Sequence, residues 1–378
     1  MAKKILITGG AGFIGSTLSL ELLKKGYEIT ILDNLSPQIH GDPETSFLYN
    51  RIKDKVNFIH GDVRNRYDWE LALKGQEYIV HLAAETGTGQ SMYEIQRYMD
   101  VNVSGTGIML DLIANHKNAI KKVVIASSRS IYGEGKYWNN TLQKAVYPLQ
   151  RDEKDMLNGD FNPKCPETGE DVDLMATDES SKIHPNSIYG LTKYNQEQAV
   201  LIACKSLNIP AVAFRYQNVY GPGQSLKNPY TGILSIFSTR IRNGNGLNIF
   251  EDGLESRDFV YIDDVVNATI LGLENETVES DYFNVGLGKP ITVLEVAKAL
   301  EKNYNTTVNI EISGQFRIGD IRHNFADLTK VKAKLGFEPS VSFDEGIMRF
   351  VNWVKGQEIG EDNYENSLKE MKEKGLFK

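Results

Sequence analysis

The chain of 378 residues has only two cysteines, Cys165 and Cys204. Two thiols cannot build a disulfide framework, and neither has a second cysteine at zinc-ligand spacing, so no metal centre is expected. No stretch approaches the roughly 20 apolar residues that a membrane-spanning helix needs. The opening run MAKKILITGGAGFIG is short and broken by glycines, which reads as a strand and not a signal sequence, and implies a cytoplasmic protein. An excess of positive charge is also missing: 42 Lys and Arg face 50 Asp and Glu, a net charge of −8. A nucleic-acid binder would carry a basic face, so only a local basic pocket for an anionic ligand stays open. What remains is an ordinary soluble composition, 41% hydrophobic and 24% charged, at a length that allows two lobes sharing a cleft.

The first half alternates apolar runs with helical patterns. KILITGG, EITILD, VNFIHGD, EYIVHLAA and KVVIASS read as strands; residues 13–25, 92–117 and 188–207 read as helices. Continuous apolar strands between helices predict an α/β fold, a Rossmann-type doubly wound parallel sheet covered on both faces. A smaller mixed C-terminal substrate lobe is expected after it. The division is a dinucleotide-binding domain over 1–214, joined by part of 254–285, and a substrate lobe over 215–378. Residues 136–186 interrupt the first domain with a polar insertion, expected to fold over the substrate side of the cleft. The charged run 356–378 reads as a solvated terminal helix.

Directly after the first strand stands Gly10-x-Gly12-x-x-Gly15, opening a helix. Glycines let the backbone approach a pyrophosphate, whose charge is favoured at a helix N-terminus. Asp33 closes the second strand 18 residues beyond Gly15, where a carboxylate would accept hydrogen bonds from a ribose. It would repel a 2′-phosphate, and no arginine follows at once, so NAD is favoured over NADP. Asp62 sits at the next strand end, where it would meet the adenine amino group. Leu82, Ala83 and Ala84 offer small side chains beside the cofactor. Tyr189 and Lys193 are four residues apart on a predicted helix, hence on one face. A nearby ammonium and the nicotinamide cation would favour the tyrosine phenolate as a base.

TGGAGFIG, HLAA, SSRSIYG, YGLTK and RYQNVYGPGQ, in this order, resemble the extended short-chain dehydrogenase/reductase superfamily, within it the nucleotide-sugar epimerase/dehydratase branch. The resemblance implies a catalytic trio of Ser128, Tyr189 and Lys193. It extends the cofactor contacts to Gly9, Phe13, Ile14, Asn34, Val63 and Asn102. It assigns the nucleotide-diphosphate sugar to Thr86, Ser128, Arg129, Asn218, Arg257 and Arg322, and implies a homodimer through the helices at 92–117 and 188–207. Guanidinium forks suit phosphate oxygens, which agrees with the arginine assignment.

Dehydratases of this branch carry an acidic pair after the catalytic hydroxyl residue; here Arg129 and Ser130 stand there. Neither serves readily as a carboxylic acid or base, which favours 4-epimerisation, a reaction that needs no second acid. ETGTGQSM (85–92), CPETGEDVDLMATDES (165–180) and NPYTGILSIF (228–237) are similar to 4-epimerases of dTDP-linked 6-deoxyhexoses. The competing expectations are a 4,6-dehydratase and a catalytically silent NAD-binding sensor.

Overall fold

The structure, a computed structural model, describes residues 2–228 and 232–378. Part of the NPYTGILSIF segment, residues 229–231, therefore lies outside the described residues. Seven parallel strands form the central sheet: β1 (Lys4–Thr8), β2 (Glu28–Asp33), β3 (Asn57–His60), β4 (Tyr78–His81), β5 (Lys122–Ser128), β6 (Ala211–Tyr216) and β7 (Ser280–Val285). Their order is β7-β6-β5-β4-β1-β2-β3. The chain winds outward from β1 in one direction and then the other. A crevice therefore opens beside the carboxyl end of β1, where doubly wound sheets bind ligands.

The continuous apolar strands have the physical cause inferred from the sequence. Ile5 and Ile7 of β1 pack on one side of the sheet with Leu18 and Leu22 of α1 (Phe13–Lys24). Leu6 packs on the other with Met109 and Leu112 of α2 (Gly105–Asn115) and with Val200 and Cys204 of α3 (Ile188–Ser206). Alternate residues thus bury on opposite faces, and each face is covered by helix. The helix expected over 92–117 is interrupted: Ile95–Tyr98 is helical, Met99–Ser104 forms a wider π-helical turn, and α2 follows. α4 (Ile262–Glu274) returns from the second lobe to pack beside α1, and β7 follows it into the large sheet.

The second lobe is mixed, as expected. Residues 218–220 pair with 259–261 and residues 247–249 with 310–312 in parallel, while 256–257 lies between 291–292 and 323–324. The insertion is ordered into a three-stranded antiparallel sheet of 137–139, 144–146 and 173–174 around Tyr137, Val146 and Cys165.

One reading needs correction. Residues 356–378 are not simply a solvated helix. α5 (Tyr364–Glu373) buries Tyr364, Leu368 and Met371, and Phe377 is buried beyond it. The spacing 364, 368, 371 is one helical face, and its apolar contacts with Ile236 and Phe250 outweigh the charges around it.

Candidate active site

A cavity of about 590 Å³ runs along the carboxyl ends of the strands and into the second lobe. Its first part is the glycine turn between β1 and α1. Gly9 adopts φ 66°, and a Cβ there would lie 2.8 Å from the Ala83 amide nitrogen. At Gly15 a Cβ would lie 2.3 Å from the Gly9 carbonyl oxygen, a backbone atom that cannot swing away. α1 therefore begins close to β1 and β4, with its first N–H groups uncapped by any side chain. Asp33 braces this turn: one carboxylate oxygen accepts the Ala11 N–H and the other the Leu35 N–H, both at 2.9 Å. Gly9, Gly12, Phe13, Ile14, Gly15, Asp33, Asn34, Val63 and Leu82–Ala84 all line the cavity. A side-chain-free cradle at a helix N-terminus, with a carboxylate at the next strand end, fits NAD.

Two residues assigned to the cofactor do not themselves line the cavity, though Asp62 lies between Gly61 and Val63, which do. The Asp62 carboxylate is held by Arg64 at 2.9 and 2.7 Å and by Asn34 at 3.1 Å, and it does not line the cavity. The Arg64 hydrogen bond above all draws its pKa down to about 2. Asn102 is fully buried in the π-helical turn; it accepts the Glu85 N–H at 2.8 Å and donates to Thr192 of α3 at 3.0 Å. It ties the chain after β4 to α3 without reaching the cavity.

At the middle of the cavity, β5 ends at Ser128 and α3 starts alongside. A Cβ on Gly190 would sit 2.6 Å from the Ser130 carbonyl, so glycine allows α3 to touch the end of β5. Tyr189, one residue earlier, and Lys193, one turn on, both line the cavity with Ser128. The Lys193 ammonium donates to the Ala126 carbonyl at 3.0 Å, and burial lowers its pKa from 10.5 to about 7. Burial raises the Tyr189 phenol, while a hydrogen bond with Ser128 and the charge of Arg129 act to lower it. The Ser128 hydroxyl accepts from the Ser130 N–H at 3.2 Å and lies 2.9 Å from the Ser130 hydroxyl. Arg129 points into the cavity and donates to Asn218 at 3.0 Å. Beneath them, Ser127 donates to Glu197 at 2.6 Å, and Arg215 grips the same carboxylate at 3.0 and 2.6 Å while donating to Tyr132 at 2.7 Å. Glu134 is turned away: it accepts the Arg322 N–H at 2.9 Å and is fully enclosed, outside the cavity lining.

The far end lies in the second lobe. Arg257 and Arg317 line it with Asp320, which pairs with them at 3.3 and 3.0 Å. Burial acts to raise the Asp320 carboxyl, but Arg317 and Arg257 outweigh it and bring its pKa to about 2. Arg322 is not there. Its guanidinium is buried against Glu251 at 2.9 Å and Asp252 at 2.7 Å, on the other side of the loop. The residue the sequence reading missed is Arg317. The visible signal was Arg-Ile-Gly-Asp, a guanidinium and carboxylate brought together across Gly319 at φ 82°. Thr86 and Asn218 line the cavity, as do Phe250, Tyr364 and Met371, the last two from α5. The insertion contributes none of the cavity wall over 136–185, contrary to the expectation that it covers the substrate.

The signature of the NAD dependent epimerase/dehydratase family matches residues 5–155 and 165–286. The chain is 37% identical to a dTDP-L-rhamnose 4-epimerase of Burkholderia thailandensis over 96% of its own length and 97% of the relative's. It is 31% identical to a putative UDP-glucose 4-epimerase of Methanocaldococcus jannaschii over 93% and 98%. Among solved structures it is similar to UDP-glucuronic acid 4-epimerase from Bacillus cereus in complex with UDP-glucuronic acid and NAD, at TM-score 0.75 and 26% identity, covering 93% of this chain and 99% of that one.

Proposed function

The chain belongs to the NAD-dependent epimerase/dehydratase family, its activity is that of a nucleotide-sugar 4-epimerase, and we propose that its substrate is a dTDP-6-deoxyhexose such as dTDP-L-rhamnose. The full-length similarity to a dTDP-L-rhamnose 4-epimerase supports that choice of sugar.

The glycine turn and Asp33 would hold NAD, whose chemistry there would be reversible hydride exchange at C4 of the sugar. Tyr189 takes the proton of the C4 hydroxyl and later returns it. Ser128 hydrogen-bonds the same oxygen and the phenol, keeping both in line. Lys193, buried and without a carboxylate hydrogen-bonded to it, lends its charge to the phenolate. Arg257 and Arg317 grip the diphosphate, leaving the sugar free to turn over while tethered.

The observation that carries epimerisation over dehydration lies next to Ser128. Arg129 and Ser130 follow it, and Glu134, the nearest carboxylate beyond, is committed to the Arg322 backbone outside the cavity. Among the described residues, the positions directly after Ser128 therefore offer no carboxylic acid to expel a hydroxyl from C6. A silent sensor is disfavoured because Tyr189 and Lys193 both face the cavity. The proposal extends to a homodimer: Leu191 and Ile202 stand exposed on α3, and light scattering should read twice the chain mass. Incubation with a panel of dTDP- and UDP-sugars, followed by NMR, tests the reaction. A C4-inverted product without added cofactor, fastest with a dTDP-6-deoxyhexose, is expected; a 4-keto-6-deoxy product refutes it.

A further inference from the structure

The insertion has its own small sheet and core yet touches none of the cavity, which leaves its purpose open. It is tied to the rest of the chain at buried Thr177, bonded to Phe325, Asp327 and Asn284, and, at the cavity end, through Arg151, whose side chain is 3% exposed. The guanidinium forks onto Glu251, donating at 2.8 Å to each carboxylate oxygen. It also donates to the Phe161 carbonyl at 3.0 Å and to the Asp320 carbonyl at 2.9 Å. Asp320 is the residue whose carboxylate stands between Arg257 and Arg317. Arg151 thus fixes the backbone of the residue that spaces the two cavity arginines.

We infer that the insertion is a clamp on the diphosphate end of the cavity, with Arg151 as its positioning residue. Pairing with Leu376 and Lys378 holds 316–318, and Arg151 holds the loop beyond it at Asp320. The loop turns through Gly319 at φ 82°, and the Arg317 side chain is 41% exposed, with Asp320 as its ion-pair partner. An arginine on such a loop loses rotamer and backbone freedom when it grips a ligand, and bracing removes that cost beforehand. Phe161 of the insertion supplies a second brace, meeting the Phe316 ring at 6.4 Å. Stability alone is a weak reason for a buried fork, because well-packed apolar residues serve as well. Geometry is what the fork provides: two fixed donors to Glu251 and one to the loop.

The inference rests on the reading of Arg317 as a diphosphate ligand, so the test separates the two. dTDP and UDP are titrated calorimetrically into the NAD-loaded enzyme, its Arg151→Lys and Arg317→Met variants, and the double variant. KM, kcat and NAD content are measured alongside. A lysine cannot reproduce the fork, so Arg151→Lys should weaken nucleoside diphosphate binding and raise KM about tenfold, the effect of a displaced charge-assisted hydrogen bond. NAD content and kcat should hold, and the substitution should cost less in the Arg317→Met background than in the wild type, because only Arg257 is then left for Asp320 to position. Unchanged affinity in Arg151→Lys, or an additive loss in the double variant, overturns the clamp. Wild-type affinity in Arg317→Met overturns the diphosphate reading and the clamp with it. Should Arg151→Lys fail to fold, Glu251→Gln removes the fork's acceptor charge; wild-type affinity in that variant overturns the clamp equally.

Discussion

Replacing Lys193 with methionine should displace the pH profile of the reaction and not merely lower it. Tyr189 and Lys193 lie four residues apart on α3, so their Cβ atoms are roughly 6 Å apart, and the same spacing serves as the scale for the charged groups at their tips. At an effective dielectric of about 20, the attraction of phenolate and ammonium is worth roughly 2.8 kcal/mol. That corresponds to a rise of about 2 units in the phenol's pKa when the ammonium is removed. The acid limb of kcat/KM should move up by this amount, with a rate loss of about 100-fold near neutrality that is partly recovered at higher pH. Stability gives an independent check on the same residue. Burial lowers Lys193 from 10.5 to about 7, so between those values the unfolded chain holds the proton more tightly. Stability of the cofactor-free protein should therefore rise with pH across this window, and Lys193→Met should lose that slope. A pH profile that falls uniformly without moving, while bound NAD is retained, would refute the role given to Lys193.

Gly15→Ala should yield protein purified without NAD, because its Cβ would meet the Gly9 carbonyl at 2.3 Å; nucleotide released on denaturation is the readout. Arg215→Met leaves Glu197 buried without its partner and should cost about 3–5 kcal/mol in denaturant unfolding, much of it recovered in Arg215→Met/Glu197→Leu. Removing residues 376–378 breaks the backbone pairing of Leu376 and Lys378 with 316–318 and the Phe377 contact with Phe250 at 4.9 Å. KM for the nucleotide sugar should rise while NAD content stays the same; an unchanged KM would show that the tail does not shape the Arg317 end.

Much of the fold was legible because its causes are local. An apolar strand covered on both faces writes itself as a continuous run, and the glycine turn needs its glycines wherever the rest of the chain goes. Tyr189 and Lys193 share a face through helical spacing alone. The second lobe resisted reading because register decides it. Arg317 and Arg322 are five residues apart in one basic, glycine-containing stretch, yet pairing of 323–324 with 256–257 turns Arg322 toward Glu251 and Asp252 and leaves Arg317 at the cavity. Asp62 stands between the cavity-lining Gly61 and Val63, and nothing in the sequence signalled that its carboxylate would pair with Arg64 two residues away. The buried face of α5 was present as spacing but masked by a charge-rich composition. The insertion's attachment to Asp320 spans 169 residues of chain, a distance over which no local pattern carries information.

The central claim is that one hydride leaves C4 and returns to the same carbon on the other face. It is tested most directly with a dTDP-6-deoxyhexose carrying deuterium at C4, turned over in ordinary water. The account predicts a C4-inverted product that keeps the deuterium at C4, with no added NAD and no solvent hydrogen incorporated. Loss of the label to solvent, or release of a 4-keto sugar, would contradict it.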